Sequence, residues 1–274
     1  MGLVFGCIAP HGGIAIAEAC APDQRELAAV TRRGMVELGR RFDRADPEVT
    51  VVLTPHNIHV DGAMAVITSG TVAGSLEGKP DVALRTAVDR PLALAVRDAI
   101  AALGIPVAGV SYGANDAAAA TFPMDWAVLV PLWFMGGRSS PPLPVVVVAP
   151  ARDLPYERHV AAGRAIATAA AASGKRVALI ASCDHGHGHD ANGPYGFTPK
   201  SKEFDDRVVD LIGRDDLGAL LKMDPTLPID AKADSYWQML MLHGALDGSW
   251  RGEFLSYEAL TYFGMLCASY EPVR

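Results

Sequence analysis

Six of the eight histidines in this 274-residue chain come directly after apolar segments rich in β-branched residues. They are His11, His56, His59, His185, His187 and His189. A single histidine in a loop does not indicate a functional site, because water or a backbone carbonyl can satisfy the hydrogen bonds of its ring. Three separate loops that bring imidazole to one sheet edge instead indicate a metal site, or an acid/base site beside a metal. The remaining two, His159 and His243, fall inside helical patterns and receive no role.

The other candidate ligands narrow the kind of metal site. The chain has no CxxC pair and no HExxH helix, which are the local signatures of structural zinc and of common zinc peptidases. A mixed histidine and carboxylate shell remains. Two histidines and one carboxylate on one face of the ion form the facial triad of non-haem Fe(II) sites, and the sequence permits that arrangement.

The elements that would position these residues alternate along the chain. Apolar runs predict strands near 3–9, 49–54, 63–70, 126–132, 144–150 and 177–182. Helical patterns cover roughly 23–42, 90–103, 156–172, 201–212 and 230–246. The alternation predicts an α/β fold, a single domain over residues 1–274 with a central mixed or mostly parallel sheet flanked by helices. The active site is expected at the carboxyl ends of the strands.

Composition limits the class of partner and the compartment. Half of the residues are apolar, the formal net charge is -7, and no basic block is present, so neither nucleic acid nor a membrane surface is an expected partner. A small molecule is expected instead. The four cysteines are far apart in the sequence, which is typical of reduced thiols in a cytoplasmic protein.

Several short motifs follow one another along the chain. They are PHGG with His11, TPHN with His56, S-x-D-x-x-H with Ser182, Asp184 and His187, then FPMDWAVLVPL and MLMLHGAL. In these features the chain resembles the class III extradiol ring-cleavage dioxygenases, the superfamily of the catalytic subunit of protocatechuate 4,5-dioxygenase. The resemblance spans most of the chain. Memo-like proteins share this scaffold and keep the cleft without established ring cleavage.

The resemblance implies roles for the histidines. It makes His11 and His56 ligands of Fe(2+) and His187 the general acid/base, with a small aromatic diol and O2 as substrates. His185, two residues before His187, is the expected substitute base or substrate contact. Alternation along an extended segment would turn His59 away from His56, so His59 is expected at the rim of the site. His189 and Asp190 are expected further along their loop.

The third metal ligand has two matching positions in the sequence. Related proteins place a glutamate near the start of the helix that ends in GAL, and the matching positions here are Asp234 or Ser235, which differ by a one-residue shift. We choose Asp234, because a carboxylate lowers the charge of the site. An exposed aspartate at a helix start is the alternative role for Asp234. Asp230 is the expected N-cap of that helix, and Glu258 is the reserve carboxylate.

One departure from the family pattern bears on catalysis. Many members carry Asp-His-Gly before the VPL segment, whereas this chain has Asp125, Trp126 and Ala127. Trp126 either stacks on an aromatic substrate or packs in the core, and packing is the favoured interpretation. Lys200 and Lys202 follow the Gly-rich loop and are candidates to bind a substrate carboxylate, although the favoured interpretation is that both side chains are solvated.

Two other functions fit the same residues. One is a Memo-like metal- or ligand-binding protein without ring cleavage, and the other is a zinc hydrolase with a metal-bound water as nucleophile. Two kinds of assembly are also compatible with the sequence, a homo-oligomer or a complex with a small partner subunit that covers the cleft.

Overall fold

The computed structural model describes residues 1–246 and 248–273, and its strands form two sheets. The strands are β1 (Gly2–Ala9), β2 (Val49–Leu53), β3 (Met64–Ile67), β4 (Thr71–Leu76), β5 (Lys79–Ala87), β6 (Val107–Val110), β7 (Thr121–Pro123), β8 (Val145–Ala149), β9 (Arg176–Ser182), β10 (Trp250–Ala259) and β11 (Gly264–Pro272). The large sheet has the order β10-β11-β1-β9-β2-β8-β3-β6, and the small one has the order β5-β4-β7.

Helices cover the large sheet. They are α1 (Ala29–Ala45), α2 (Arg90–Ala102), α3 (Trp126–Phe134), α4 (Tyr156–Ala172), α5 (Pro199–Gly213), α6 (Leu227–Asp230) and α7 (Tyr236–Ala245). Short 3-10 segments occur at Gly13–Ala15, Ala17–Ala19, Pro22–Gln24, Ala117–Ala119 and Leu217–Lys222. In β1, Phe5 contacts Phe42 of α1, whereas the next residue, Gly6, faces Leu242 of α7. Neighbouring strand residues point to opposite faces, so α1 and α7 lie on opposite sides of the sheet.

The centre of the sheet is parallel, which sets the position of the site. Strand β9 pairs in parallel with both β1 and β2, and β2 pairs in parallel with β8. All residues of β2 and β8 are buried, as expected for strands covered on both faces. Strands β3 and β11 add antiparallel pairs, so the sheet is mixed. The predicted α/β class with a central mixed sheet is confirmed.

The segment 126–132 was expected to be a strand, and that expectation is wrong. It forms helix α3, which begins after Asp125, whose Oδ1 accepts the backbone N–H of Val128 at 3.1 Å. Residues Ala127 to Leu132 are all buried. Periodicity cannot distinguish a buried strand from a buried helix in a short run that is apolar on every side. Here the N-cap Asp125 favours the helix.

Two predicted helices also have different boundaries. The helix expected at 23–42 begins at Ala29, because 3-10 and turn geometry occupies the preceding residues. The helix expected at 230–246 is interrupted: Asp230 ends α6, and α7 begins after Ser235. Asp230 is therefore not the N-cap. Lys232, with φ of 55°, lies between the two helices in the left-handed region, where a right-handed helix cannot continue.

The four cysteines are free and buried. Among residues 1–246 and 248–273, no helix is both long enough and apolar enough to cross a membrane.

Candidate metal centre and adjoining cavities

His11 lies in the loop after β1 and is held by two residues that end or follow β9. Its backbone N–H donates to Asp184 Oδ1 at 3.0 Å, and its Nδ1 lies 3.0 Å from Ser182 Oγ. The Ser182 hydroxyl donates to the carbonyl of Ala127 at 2.6 Å, so it is available to His11 as an acceptor. His11 therefore carries a proton on Nδ1, and its Nε2 faces the cluster described below.

His56 follows β2 and is positioned through the start of α3. Asp125 accepts hydrogen bonds from Thr54 Oγ1 at 3.1 Å and from Asn57 Nδ2 at 2.9 Å, so one carboxylate holds both sides of the turn that contains His56. The Trp126 ring lies against the imidazole of His56, with centroids 4.5 Å apart and planes inclined by 32°. Trp126 is 46% exposed, so it is not a core residue, in contrast to the favoured sequence interpretation.

Asp234 completes a compact group with the two histidines. Its Oδ2 lies 2.9 Å from His56 Nε2 and 3.5 Å from His11 Nε2, and the two Nε2 atoms are 3.2 Å apart. Ligands held about 2.1 Å from one ion at right angles are separated by about 3 Å. His11, His56 and Asp234 thus form a group that could hold a metal ion.

The electrostatics of the cluster also favour a cation. Burial opposes protonation of His11, but Asp184 and Asp234 outweigh it and raise the pKa of His11 to about 9. Burial acts to raise the pKa of Asp234, but the neighbouring histidines lower it well below its usual range. Among the described residues, the buried Asp234 Oδ1 has no hydrogen-bond partner. Buried carboxylates require a compensating positive charge, which a divalent ion would supply.

His187 lies beside this group. Its Nε2 is 3.7 Å from Asp234 Oδ2, whereas its Nδ1 lies 2.6 Å from the carbonyl oxygen of His185. A carbonyl only accepts, so Nδ1 carries the proton and Nε2 of the neutral ring is free to take one. The ring stacks on Phe263 with centroids 5.5 Å apart and an interplanar angle of 21°.

The alternating glycines explain how this loop is built. A Cβ on Gly186 would lie 2.7 Å from Ser201 Cα, and one on Gly188 would lie 2.5 Å from the Thr198 side chain. Both positions therefore need glycine for the loop to approach the start of α5. The backbone N–H of His187 donates to Ala231 at 3.0 Å, which ties the same loop to the segment before Asp234.

The other predicted candidates lie elsewhere. His185 is completely buried, with Nδ1 3.0 Å from Ser235 Oγ, and it lines neither of the cavities described below.

His189 Nε2 donates to Asp205 Oδ2 at 2.8 Å. His59 is exposed and pairs with Asp61 at 3.2 Å. Glu258 accepts the backbone N–H of Thr31 at 2.6 Å in the first turn of α1, away from the cluster.

Two cavities meet at the cluster and share His56, His187 and Tyr195. The cationic cavity, about 600 Å³, is also lined by Arg152, Ile229, Lys232, Ala233, Asp234 and Trp237. The aromatic cavity, about 330 Å³, is also lined by His11, Gly12, Gly13, Ile14, Trp126, Asp184, Thr261, Tyr262 and Phe263. Volumes in this range suit a small molecule.

The cations of this site were not predicted from the sequence. Lys200 and Lys202, the two lysines suggested for a substrate carboxylate, instead pair on the surface with Glu203 and Asp206. Arg152 follows the end of β8 by three residues, so the rule of strand ends that selected the histidines would have found it. This rule would not have found Lys232, because the residue lies within the segment 230–246 that was predicted to be a helix.

Comparison with known proteins agrees with this geometry. The family described as the catalytic LigB subunit of aromatic ring-opening dioxygenase matches residues 6–266. The chain belongs to this family. The match includes every residue of the cluster and of both cavities, and the resemblance inferred from the short motifs is confirmed.

Two individual proteins are similar to this chain. The crystal structure of an uncharacterized protein from Escherichia coli K12, JW3007, aligns with a TM-score of 0.60 and 19% identity over 97% of this chain and 99% of that chain. Protein CA_C1420 of Clostridium acetobutylicum is 21% identical over 253 residues, which are 91% of this chain and 53% of that protein. The chain thus spans about half the length of this curated relative. The likeness to the solved structure supports the fold.

Proposed function

We propose that the protein is an Fe(II)-dependent extradiol dioxygenase, which uses O2 to open the ring of a catechol-type substrate next to the two hydroxyls. The observation that carries the proposal is the facial group of His11, His56 and Asp234 at the junction of two cavities. Family membership supports a dioxygenase-like enzyme. Both oxygen atoms enter the product, an acid with a semialdehyde group, so the reaction needs no external reductant.

The residues present fit a resident metal ion. His11 Nε2, His56 Nε2 and Asp234 Oδ2 would be the ligands, and the unpartnered Asp234 Oδ1 leaves the carboxylate free to bind through either oxygen. Fe(II) held there would supply coordination positions for the catecholate and O2 and a route for electrons between them. The Ser182 contact keeps the Nδ1 proton of His11 away from the ligand position.

The chain supplies the proton transfers through His187. Its Nδ1 is engaged by the carbonyl of His185, so Nε2 is the atom that takes a proton from a substrate hydroxyl and later returns it. Stacking on Phe263 fixes the plane of the ring. No histidine occupies position 126, so in this proposal His187 works without a second imidazole from that segment.

The aromatic cavity orients the substrate ring and restricts water. Trp126, Tyr195, Tyr262 and Phe263 supply flat apolar surfaces around the cluster, and aromatic rings pack favourably against one another in offset or edge-to-face geometry. In this proposal the partners are a small aromatic diol and O2, and nucleic acid and membranes are not partners. The location proposed is the cytoplasm, in keeping with four free cysteines.

Metal analysis combined with oxygen uptake tests the function. Protein purified without air and loaded with Fe(II) is expected to consume one O2 for each catechol cleaved and to place both atoms of labelled O2 in the product. His56→Ala is expected to lose iron and turnover. His59→Ala, three residues away and exposed, is the matched control and is expected to keep both.

Two results would replace the proposal. Tightly bound zinc together with hydrolytic activity would indicate a zinc hydrolase, because two histidines and a carboxylate also suit catalytic zinc. Stoichiometric iron without oxygen uptake on any catechol of a broad panel would indicate a Memo-like protein that binds a metal or ligand without ring cleavage.

A further inference from the structure

A third cavity of about 710 Å³, here called the apolar cavity, lies between the small sheet and the loop after β1. Its lining residues are Gly13, Ile14, Ala19, Cys20, Gln24, Ser75, Leu76, Glu77, Lys79, Met124, Asp125, Trp126 and Tyr262. Four of these residues also line the aromatic cavity, namely Gly13, Ile14, Trp126 and Tyr262. The apolar cavity therefore adjoins the space beside the metal cluster and is large enough for part of a small molecule.

Hydrogen bonds to the rest of the fold hold both walls of the apolar cavity. On the side of the loop after β1, Arg32 of α1 donates from Nη2 to the Ile14 carbonyl and from Nε to the Ala15 carbonyl, both at 3.1 Å. On the side of the small sheet, the backbone N–H of Met124 donates to the Ala73 carbonyl of β4 at 2.9 Å. The cavity is thus preformed, which lowers the cost of ordering it around a ligand.

The polar groups in these walls do not favour a charged ligand. The Asp125 carboxylate already accepts three hydrogen bonds from the protein, and the Cys20 thiol donates to the Ile14 carbonyl at 3.4 Å. Glu77 and Lys79 are exposed where the chain turns from β4 into β5. Their charges are opposite, so the pair does not select an ion of either sign.

Apolar side chains provide much of the remaining wall. They are Ile14, Ala19, Leu76, Met124 and Trp126. Trp126 connects this wall to the metal cluster, because the same ring lies against His56 and lines both the aromatic and the apolar cavity. It is 46% exposed, so much of this large apolar surface is available to a ligand. An apolar group that covers such a surface displaces water and binds favourably.

We propose that the apolar cavity binds an uncharged alkyl or aryl arm of the substrate while the diol ring lies in the aromatic cavity. The substrate class is then a catechol with an apolar substituent. The shared walls at Trp126 and Tyr262 let one molecule occupy both spaces. The inference rests on the proposed function for the ring, whereas the site for the arm rests on the walls of the apolar cavity.

The first test measures binding without turnover. Calorimetry on anaerobic iron-loaded protein compares catechol with its 3-alkyl and 4-alkyl derivatives, from methyl to pentyl, because no ring is opened without O2. In at least one of the two series, Kd is expected to fall about fourfold for each methylene that is buried, until the arm fills the cavity. A Kd that does not change with chain length in either series would overturn the proposal.

Two variants are expected to move this limiting chain length in opposite directions. Ala19→Leu narrows the apolar cavity and is expected to shorten the limit, whereas Leu76→Ala widens the cavity and is expected to lengthen it. A general folding defect would not produce opposite shifts, and either variant that melts as a folded protein gives a decisive result. Ile229→Ala is the matched control, because it removes an exposed apolar side chain from the cationic cavity. A limit that moves only in the Ile229 variant would place the arm in the cationic cavity and overturn the proposal.

The second test uses turnover. The ratio of kcat/KM for the most tightly bound alkylcatechol to that for catechol is expected to exceed about tenfold in the wild type and to fall in Ala19→Leu. If no diol is cleaved, the proposed function fails, and the calorimetry still decides the site for the arm. If the diols are cleaved with a ratio near one at every chain length, only the site for the arm fails.

Discussion

Pro131 lies four residues after Ala127 in α3 and has no N–H to donate to the Ala127 carbonyl, which accepts the hydroxyl of Ser182 instead. The Oγ–O distance is 2.6 Å. A proline inside a helix normally leaves the carbonyl one turn earlier without its helical partner. Here that carbonyl orients the hydroxyl that accepts from His11 Nδ1.

The hydrogen bond from Ser182 to Ala127 connects the proline irregularity in α3 to the metal cluster. Because the Ser182 proton points to Ala127, a serine lone pair faces His11, and the imidazole proton is kept on Nδ1. The lone pair of Nε2 is then directed towards His56 and Asp234. Partners of this kind, which orient a ligand without touching the metal, typically change metal affinity 10- to 100-fold when removed.

Ser182→Ala is expected to weaken Fe(II) binding about 10- to 100-fold, because His11 loses the acceptor that fixes its tautomer. Titration with Fe(II) under anaerobic conditions measures the change. Ser201→Ala is the matched control, since Ser201 is equally buried and donates to the Ala231 carbonyl at 2.9 Å without touching a candidate ligand. Equal affinities for the Ser182 variant and the wild type would contradict the role assigned to this contact.

The sequence predicted the positions that depend on strand ends. His11, His56 and His187 follow β1, β2 and β9, and parallel neighbours bring those ends to one edge of the sheet, so the convergence follows from strand order. The nature of α3 and the break before α7 were not predictable in this way. Both depend on local features, the Asp125 cap and the left-handed Lys232, that an apolar pattern does not contain.

Side-chain directions inside the histidine cluster were also beyond the sequence. An extended segment would place His185 and His187 on one face. In the structure His185 points into the protein towards Ser235, and His187 points to the cavities, because glycines on either side of His187 let the chain turn against α5. The positions of the histidines in the sequence predicted which loop carries them. Tertiary contacts determine which of their side chains reaches the cluster.

Asp234→Asn is expected to lower iron content strongly, because it removes the negative charge of the third candidate ligand with little change in shape. Iron per chain after gel filtration measures the loss. Glu258→Gln is the comparison, since Glu258 serves the first turn of α1 through Thr31 and its amide oxygen can still accept. That variant is expected to keep full iron content and to lose less than about 1 kcal/mol of stability. The reverse pattern would transfer the ligand role to Glu258.

His187→Ala is expected to retain iron and to lose turnover by about a hundredfold or more, because the ring moves protons and is not one of the three candidate ligands. Parallel measurements of iron content and oxygen uptake separate the two properties. His189→Ala is the control from the same loop. It breaks the contact with Asp205 and is expected to lower the melting temperature while turnover per folded protein persists. Loss of iron from the His187 variant would place this ring among the metal ligands.

His185 makes stability depend on pH in a defined window. Burial lowers the pKa of His185 to about 4, although Asp205 and Asp234 act in the opposite direction. In the unfolded chain a histidine has a pKa of about 6.5, so on acidification the unfolded state takes up the proton first. The stability that depends on neutral His185 is therefore fully present above about pH 6.5 and is lost as the pH falls towards about 4.

Between pH 7 and pH 5 this single group is expected to remove roughly 2 kcal/mol of the free energy of unfolding. His185→Asn cannot take up a proton in this range, so its loss over the same interval is expected to be smaller by about that amount, whatever its stability at pH 7. Urea unfolding of chelator-treated protein at both pH values gives the comparison, and His59→Asn, an exposed position, is expected to follow the wild type. Identical losses for the His185 variant and the wild type would mean that His185 is not held neutral by burial.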